Sequence, residues 1–451
     1  MIYDLIIIGA GPAGVSAAIE TRSYGLSVLV LDENAAPGGR IWQGLERRGA
    51  SDQDDTLALR KLAAFRDCGA DMRWRATAWG LESDGSVYWS TNNLVQSAQA
   101  RYVTVATGAT ERPLPIPGWT LPGVMTIGAA QIAWKIGGLV PDKGTWIAGQ
   151  GPLLLLYAVQ ALRAGGNFAG ILDLSDGTAP FRALRHIPKA LPGAREILKG
   201  LSWRREIARA RIPWLSATNL RAEGSDRLQR LRFRAHGREC TEPADMLLLH
   251  DGVIPSVQIT RALGCEHLWD AAQRCWTPLT DAWGFTTVPN VLAAGDGAGI
   301  SRALAAELSG RLAALGVAHA LGRIDSARRE AAAAPVRAER ARHLAIRPLL
   351  DSLYSPLELR LPDEAIVCRC EEVTAGEIRA AARLGCLGLN QMKAFTRSGM
   401  GPCQGRMCGA VAAEVLAEAL GVRVQDIEPY RLRFPTKPVT VGELASLDQS
   451  G

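Results

Sequence analysis

The feature that most constrains this chain is its opening. An apolar run, Leu5 to Ile8, feeds directly into Gly9-Ala10-Gly11-Pro12-Ala13-Gly14. A strand that ends in G-x-G-x-x-G and passes into a helix brings backbone against a pyrophosphate. Gly9 permits the tight turn, Gly11 leaves room for the phosphates, and Gly14 lets the helix pack closely on the strand. Pro12 and Ala13 open that helix, whose free N–H groups and positive dipole end favour the same anion. The next strand, SVLVLDE, ends at Asp32 and Glu33. Asp32 is placed to accept hydrogen bonds from ribose hydroxyls and would repel a 2′-phosphate. Strand, helix and acid together predict nucleotide binding, against a loop that is merely rich in glycine.

A second unit of the same kind begins at GTWIAGQGPLLLLYAVQALRAGG. Here Leu154 replaces the third glycine, which would hinder close helix–strand packing and narrow the pyrophosphate approach. Asp173 could in principle hold a ribose. The favoured reading is a unit kept for its packing, with a working NAD(P)H site as the alternative. Three further segments point to FAD at the first site: Pro37-Gly38-Gly39-Arg40, a second glycine turn, then Ala106-Thr107-Gly108 and Ala294-Gly295-Asp296, each at the end of a buried strand. In order and spacing these resemble the two-dinucleotide-binding flavoproteins that include thioredoxin- and glutathione-reductase-like enzymes. The resemblance covers residues 1 to about 320 and implies that Gly295 and Asp296 reach the ribityl chain of FAD, the alternative being that Asp296 is a helix cap. The chain lacks C-x-x-C, so disulfide reduction is not expected.

The 451 residues fit two or three domains. A net charge of +6 without a basic, aromatic-interleaved block predicts no nucleic-acid partner. No leader and no transmembrane run are expected. The six His residues are scattered and read as surface or core. With the odd count of nine Cys, a reducing compartment is expected and a disulfide framework is not.

Four of those cysteines cluster late: Cys368-Arg369-Cys370, a helical spacer, then Cys403-Gln404-Gly405-Arg406-Met407-Cys408. Four thiolates on short, glycine-rich loops suit an iron–sulfur centre, with zinc as the alternative. Cys386, in an apolar helical pattern between the pairs, reads as core. Residues 367 to 410 closely resemble the [2Fe–2S] domain of bacterioferritin-associated-ferredoxin type, the stretch GPCQGRMC being specific. The resemblance implies Cys368, Cys370, Cys403 and Cys408 as ligands.

These features, joined by Glu111-Arg112, PGWTLPGV (117–124) and GQGPLLLL, resemble the large FAD/[2Fe–2S] subunits of hetero-oligomeric amine dehydrogenases. That group takes in the A subunits of opine oxidases, the B subunits of hydrogen cyanide synthases and the large subunits of proline or hydroxyproline dehydrogenases. The resemblance covers nearly the whole chain. It implies an α/β fold of two Rossmann-like domains (1–140 with 280–322, and 141–279), a helical connector (323–363) broken near Pro335, an α-rich [2Fe–2S] domain (364–422) and an extended tail (423–451). It implies electron transfer for an oxidoreductase that cleaves the C–N bond of a secondary amine or amino acid such as octopine, nopaline or D-hydroxyproline. A smaller FAD-containing, D-amino-acid-oxidase-like partner, with or without a third small subunit, would handle the amine. This chain would contribute no catalytic residue. FMN at the interface between subunits is a further carrier, and a quinone or other acceptor takes the electrons. Such a protein is expected in the cytoplasm, with peripheral membrane association where a quinone is the acceptor. In the first site, another ADP-containing nucleotide is the alternative to FAD. Two other functions stay open: a self-contained NAD(P)H-dependent FAD reductase, and a nucleotide-binding assembly protein without redox turnover.

Overall fold

The computed structural model describes residues 2–358 and 360–447, so Leu359 of the expected connector and residues 448–451 of the expected tail lie outside the described residues. In the first domain, Ile2–Ile8 runs parallel to Val28–Asp32 on one side and Leu94–Val105 on the other. Leu5 to Ile8 are buried on both faces, as a central strand of a parallel sheet must be. Asp71–Trp74 extends one edge, and Val291–Ala293 returns from far along the chain to pair with Val103–Val105. The long strand Leu94–Val105 leaves the parallel sheet in its first half to pair antiparallel with Ser86–Thr91, which pairs in turn with Thr77–Leu81.

The second sheet runs Arg238–Pro243, Arg230–Ala235, Trp214–Glu223, Gly170–Asp173, Thr145–Gln150, Met246–Asp251, Val124–Thr126. Its last strand falls inside the stretch assigned from sequence to the first domain. The helix Ile127–Gly137 follows it, packing Ile127 and Ala130 with Ile147 and Leu155. Residues 124–137 therefore sit with the second sheet, because that is where their apolar stripe finds a partner. Ala109–Glu111 pairs antiparallel with Val253–Pro255 and joins the paths that link the two domains.

The break expected near Pro335 does not occur: one helix spans Ser326–Leu344 with Pro335 inside it. Proline removes one N–H and crowds the carbonyl four residues back. The helix is carried through by tertiary contacts. Arg329 and Arg337 stack on Trp283 at 4.1 and 4.3 Å from the ring centroid, and Ala333 and Val336 are buried in the first domain's core. Asp325 caps the helix start.

The cysteine-bearing module has its own core, in which Val367, Ile378, Leu389, Val411 and Leu416 meet Ile427 and Tyr430 of the tail. Beyond Tyr430 the tail crosses to the first domain, where the Thr436 N–H donates to the Trp79 carbonyl at 2.8 Å. It ends in a short helix, Val441–Ala445, closed by a Thr440/Glu443 capping box. No described helix is long and apolar enough to cross a membrane.

The helices Pro12–Ser23 and Ala303–Ala320 touch through small residues, and a Cβ added at Gly310 would lie 2.0 Å from the Ala13 carbonyl oxygen. Gly310→Ala is expected to force these helices apart and to destabilise the chain by about 1–3 kcal/mol, measured by chemical denaturation.

Candidate functional site

The first glycine turn is steric in origin. Gly9 has φ +107°, and a Cβ there would lie 2.4 Å from the Ala106 carbonyl oxygen. A Cβ at Gly14 would lie 1.9 Å from the Gly9 carbonyl oxygen, so the helix can approach the strand only without a side chain. Gly39, at φ +55°, brings the second turn against Gly11, where its Cβ would come within 2.9 Å of the Gly11 Cα. The helix carries no side-chain cap at Gly11, which leaves its first-turn amides available to a ligand. A cavity of about 1240 Å³ opens from here. Gly9, Gly11, Pro12, Ala13, Asp32, Glu33, Gly39, Arg40, Thr107, Gly108, Gly295 and Asp296 line it, whereas Gly14 packs behind and Ala10, Pro37 and Gly38 are not in its wall. The cradle fits an extended dinucleotide.

The two acids divide their work. Asp32 is buried and accepts from the Ala10 N–H at 2.6 Å and from the Asn34 N–H and Nδ2 at 2.7 Å, so it braces the glycine turn from within. Glu33 stands at the rim, paired with Lys437 of the tail and, at 3.5 Å, with Arg40. Burial works against its ionisation, but Lys437, Arg40 and Arg406 hold its pKa below the usual carboxylate range. Both acids line the cavity, Asp32 from a buried position and Glu33 from the rim. Asp296 lines the cavity too, with Oδ1 accepting from the Ser301 N–H at 2.8 Å and the Arg302 N–H at 3.1 Å in the loop before the helix Ala303–Ala320, which has no side-chain cap. Thr107 Oγ1 donates to the Ser256 carbonyl at 3.0 Å.

Lys135 belongs to none of the motifs read from the sequence. Its buried Nζ donates to the Arg40 and Ile41 carbonyls at 2.7 and 2.9 Å and to Gln131 Oε1 at 3.3 Å. A cation from a second-domain helix therefore fixes the second glycine turn of the first site. Burial, aided by Arg48, pulls its pKa down to about 7.

The second glycine turn keeps its backbone shape, with Gly149 and Gly151 at φ +137° and +107°. Leu154 is buried with Ile147 and Tyr157, so its helix is anchored by a side chain where the first is anchored by close approach. The connector lies across this turn. Gln150 Nε2 donates to Asp251 Oδ1 at 2.9 Å and to the Ser355 carbonyl at 2.6 Å, and Asp251 accepts from the Leu357 N–H at 3.2 Å. Asp173 is engaged by the Ser175 N–H and Trp214 Nε1. Beneath the turn His250 Nδ1 meets Glu111 Oε1 at 2.5 Å, while Glu111 also accepts from the Gly128 N–H. These contacts favour a unit retained for packing.

The four late cysteines converge. Cys368 ends the strand Ile366–Cys368, Cys370 follows in an exposed turn, and Cys403 and Cys408 flank the loop that opens the helix Gly409–Leu420. The Cys368 and Cys408 thiols share a hydrogen bond, as do Cys370 and Cys403. That bond and the backbone N–H groups of Gly399, Glu371 and Cys370 outweigh burial and bring Cys368 down to about 5, while Cys408 moves up. Tyr430 closes the base: a Cβ at Gly399 or Gly405 would come within 2.6 or 2.7 Å of its ring. Among the described residues no three His, Cys, Asp or Glu side chains are arranged to hold a metal ion. Paired thiolates with backbone donors are a donor set that fits a two-iron cluster. Cys386 lies in the turn after the helix Ala375–Arg383 and is buried in the module's core.

Residues 3–138 match the pyridine nucleotide-disulphide oxidoreductase family, and residues 363–447 match the sarcosine oxidase A3 domain. The A subunit of opine oxidase from Rhizobium meliloti is 41% identical over 99% of this chain and 99% of its own length. This chain belongs to the family of opine oxidase A subunits. Hydrogen cyanide synthase subunit HcnB of Pseudomonas aeruginosa is 31% identical over 98% of both chains. The crystal structure of L-proline dehydrogenase from P. horikoshii shares the fold, with a TM-score of 0.72 and 20% identity over 98% of this chain and 79% of that one. The A3 match takes in the tail along with the cysteines, in keeping with the burial of Ile427 and Tyr430 in that module.

Because native Lys135 releases its proton near pH 7 and the unfolded side chain near 10.5, the unfolded state binds more protons in between. Stability should therefore rise across that window, and Lys135→Met should remove this part of the rise in denaturation curves taken from about pH 7 to 10.

Proposed function

We propose that this chain is the electron-transferring subunit of a hetero-oligomeric, amine-oxidising flavoenzyme. The observation that carries the reading is adjacency. Arg406, inside the loop between Cys403 and Cys408, lines the nucleotide cavity, donates to the Cys403 carbonyl at 3.2 Å and also reaches the Thr436 carbonyl. One loop thus bears two candidate ligands and forms part of the wall of the cofactor site. The connector contacts Gln150 and Asp251 beside the second glycine turn, through which NAD(P)H would enter a self-contained reductase, while Gly151 and Pro152 of that turn still line the cavity.

In this reading a partner protein removes two electrons and two protons from a secondary amine, such as an opine or D-hydroxyproline. For an opine, water then adds to the imine and the C–N bond breaks. FAD in the first site and a [2Fe–2S] centre on Cys368, Cys370, Cys403 and Cys408 would supply one-electron relay to a quinone or another acceptor. Gly9, Gly11 and Gly39 give the pyrophosphate its backbone cradle, Asp32 and Glu33 are the acids for the ribose, and Lys135 holds the second turn in place. The partner fits the D-amino-acid-oxidase type, with FMN at the interface as a further carrier. Relatives named as subunits support a multi-subunit enzyme.

Three outcomes test this. Anaerobically purified chain should carry iron and sulfide, and Cys403→Ser should lose the cluster's visible absorption while keeping the nucleotide; an unchanged spectrum removes Cys403 from the ligand set. NADH should leave the flavin oxidised, whereas an N-alkyl amino acid should reduce it once the partner is present; rapid bleaching by NADH alone would establish the reductase. Chromatography of the heat-released nucleotide should give FAD, and ADP or ATP instead would move the redox flavin off this chain.

A further inference from the structure

The cysteine module meets the rest of the chain at a buried charge cluster that includes Arg112 of the Glu111-Arg112 pair. Glu414 lies on the helix that starts directly after Cys408, six residues on, or about 9 Å along the axis. Its side chain is 11% exposed, and its Oε1 stands 3.3 Å from Arg274 Nη2 and 3.7 Å from Arg112 Nη1. Arg112 is 4% exposed and lines the cofactor cavity. Its position is over-determined. Its N–H donates to the Gly252 carbonyl at 3.0 Å, and its Nη2 donates to the Gln273 and Arg274 carbonyls at 2.7 and 2.8 Å. One guanidinium thus faces the cavity from a fixed seat and also reaches the helix that carries Cys408.

Another ionic contact across this seam, Arg221 with Glu364, is exposed on both partners and fixes little. A buried acid shared by two arginines behaves differently. Arg274 also reaches the exposed Glu358 at 3.2 Å, so the strongest demand is from Arg112, whose buried guanidinium would lose that ion-pair partner if Glu414 were removed. Burial pushes the Glu414 pKa up, and the two arginines oppose that shift.

We propose that Glu414 is a positioning residue: through Arg112 and Arg274 it sets the distance and orientation of the cysteine module relative to the cofactor cavity, and with them the rate at which electrons cross between the two centres. This rests on the relay reading above. Trp119 Nε1, donating to the Ile366 carbonyl at 2.7 Å, holds the module independently of the charge cluster, so loss of Glu414 should let it shift without detaching.

The test uses the full complex with its partner, comparing wild type, Glu414→Gln, Arg274→Gln and the double variant. Three quantities are measured: flavin and iron content, the single-turnover rate at which electrons reach the iron centre, and hydrogen exchange over residues 403–420. Glu414→Gln should keep both cofactors, slow the transfer on the order of tenfold, and raise exchange in the 403–408 loop. Arg274→Gln should act in the same direction, and the double variant should be no slower than Glu414→Gln alone. Loaded variants with wild-type transfer and wild-type exchange would overturn the positioning role. If Glu414→Gln does not load, Arg274→Gln decides: slowed transfer supports the role, unchanged transfer overturns it. A wild-type complex lacking iron or flavin would defeat the relay reading itself.

Discussion

Backbone packed against backbone is the constraint on which the rest of this structure depends. At Gly9, Gly14 and Gly310, main-chain atoms come so close that no Cβ fits. These contacts hold the first strand, the helix after it and the long helix Ala303–Ala320 as one block, with the phosphate-facing amides at its edge. Asp32 secures the block from inside through the Ala10 N–H, and Gly39 brings a second turn into contact with Gly11. The cavity is a consequence of this close approach, since side chains at those positions would separate the elements that form its floor.

Around that block the chain uses parts distant in sequence to complete the site. Lys135 comes from a helix of the second domain, Lys437 from the tail and Arg406 from the cysteine loop. Lys437 and Arg406 bring positive charge to the cavity wall, and Lys135 braces the second turn from a buried seat. The second dinucleotide-type unit has taken another role. Its turn keeps its positive-φ glycines, yet Gln150 and Asp251 grip the connector, and Leu154 anchors its helix as an ordinary core residue. Here the same element also contacts the segment leading to the cysteines.

The family signature PGWTLPGV gains a physical explanation from the same seam. Gly118 passes so close to Ala222 that a Cβ would sit 2.0 Å from its carbonyl oxygen, and the neighbouring Trp119 holds Ile366 two residues before Cys368. The motif positions the module and does not touch a ligand. Gly399 and Gly405 likewise make room for the Tyr430 ring, so the glycine-rich loop of the cysteines also forms a packing surface for the tail.

Much of this was legible in sequence because it is local. The glycine turns, the strand–helix order and the cysteine pairs follow from conformational limits that act over a few residues, and these determined the fold class and the residues around the first nucleotide. What the tertiary structure alone decided involves partners far apart along the chain. It tied Asp32 to the Ala10 N–H, carried a helix through Pro335, moved residues 124–137 onto the second sheet, and brought Glu414 to Arg112. Each outcome depends on which surface is buried against which. That is set by the desolvation of charges and by the fit of apolar faces across the whole molecule, and neither leaves a mark in the spacing of residues along one segment.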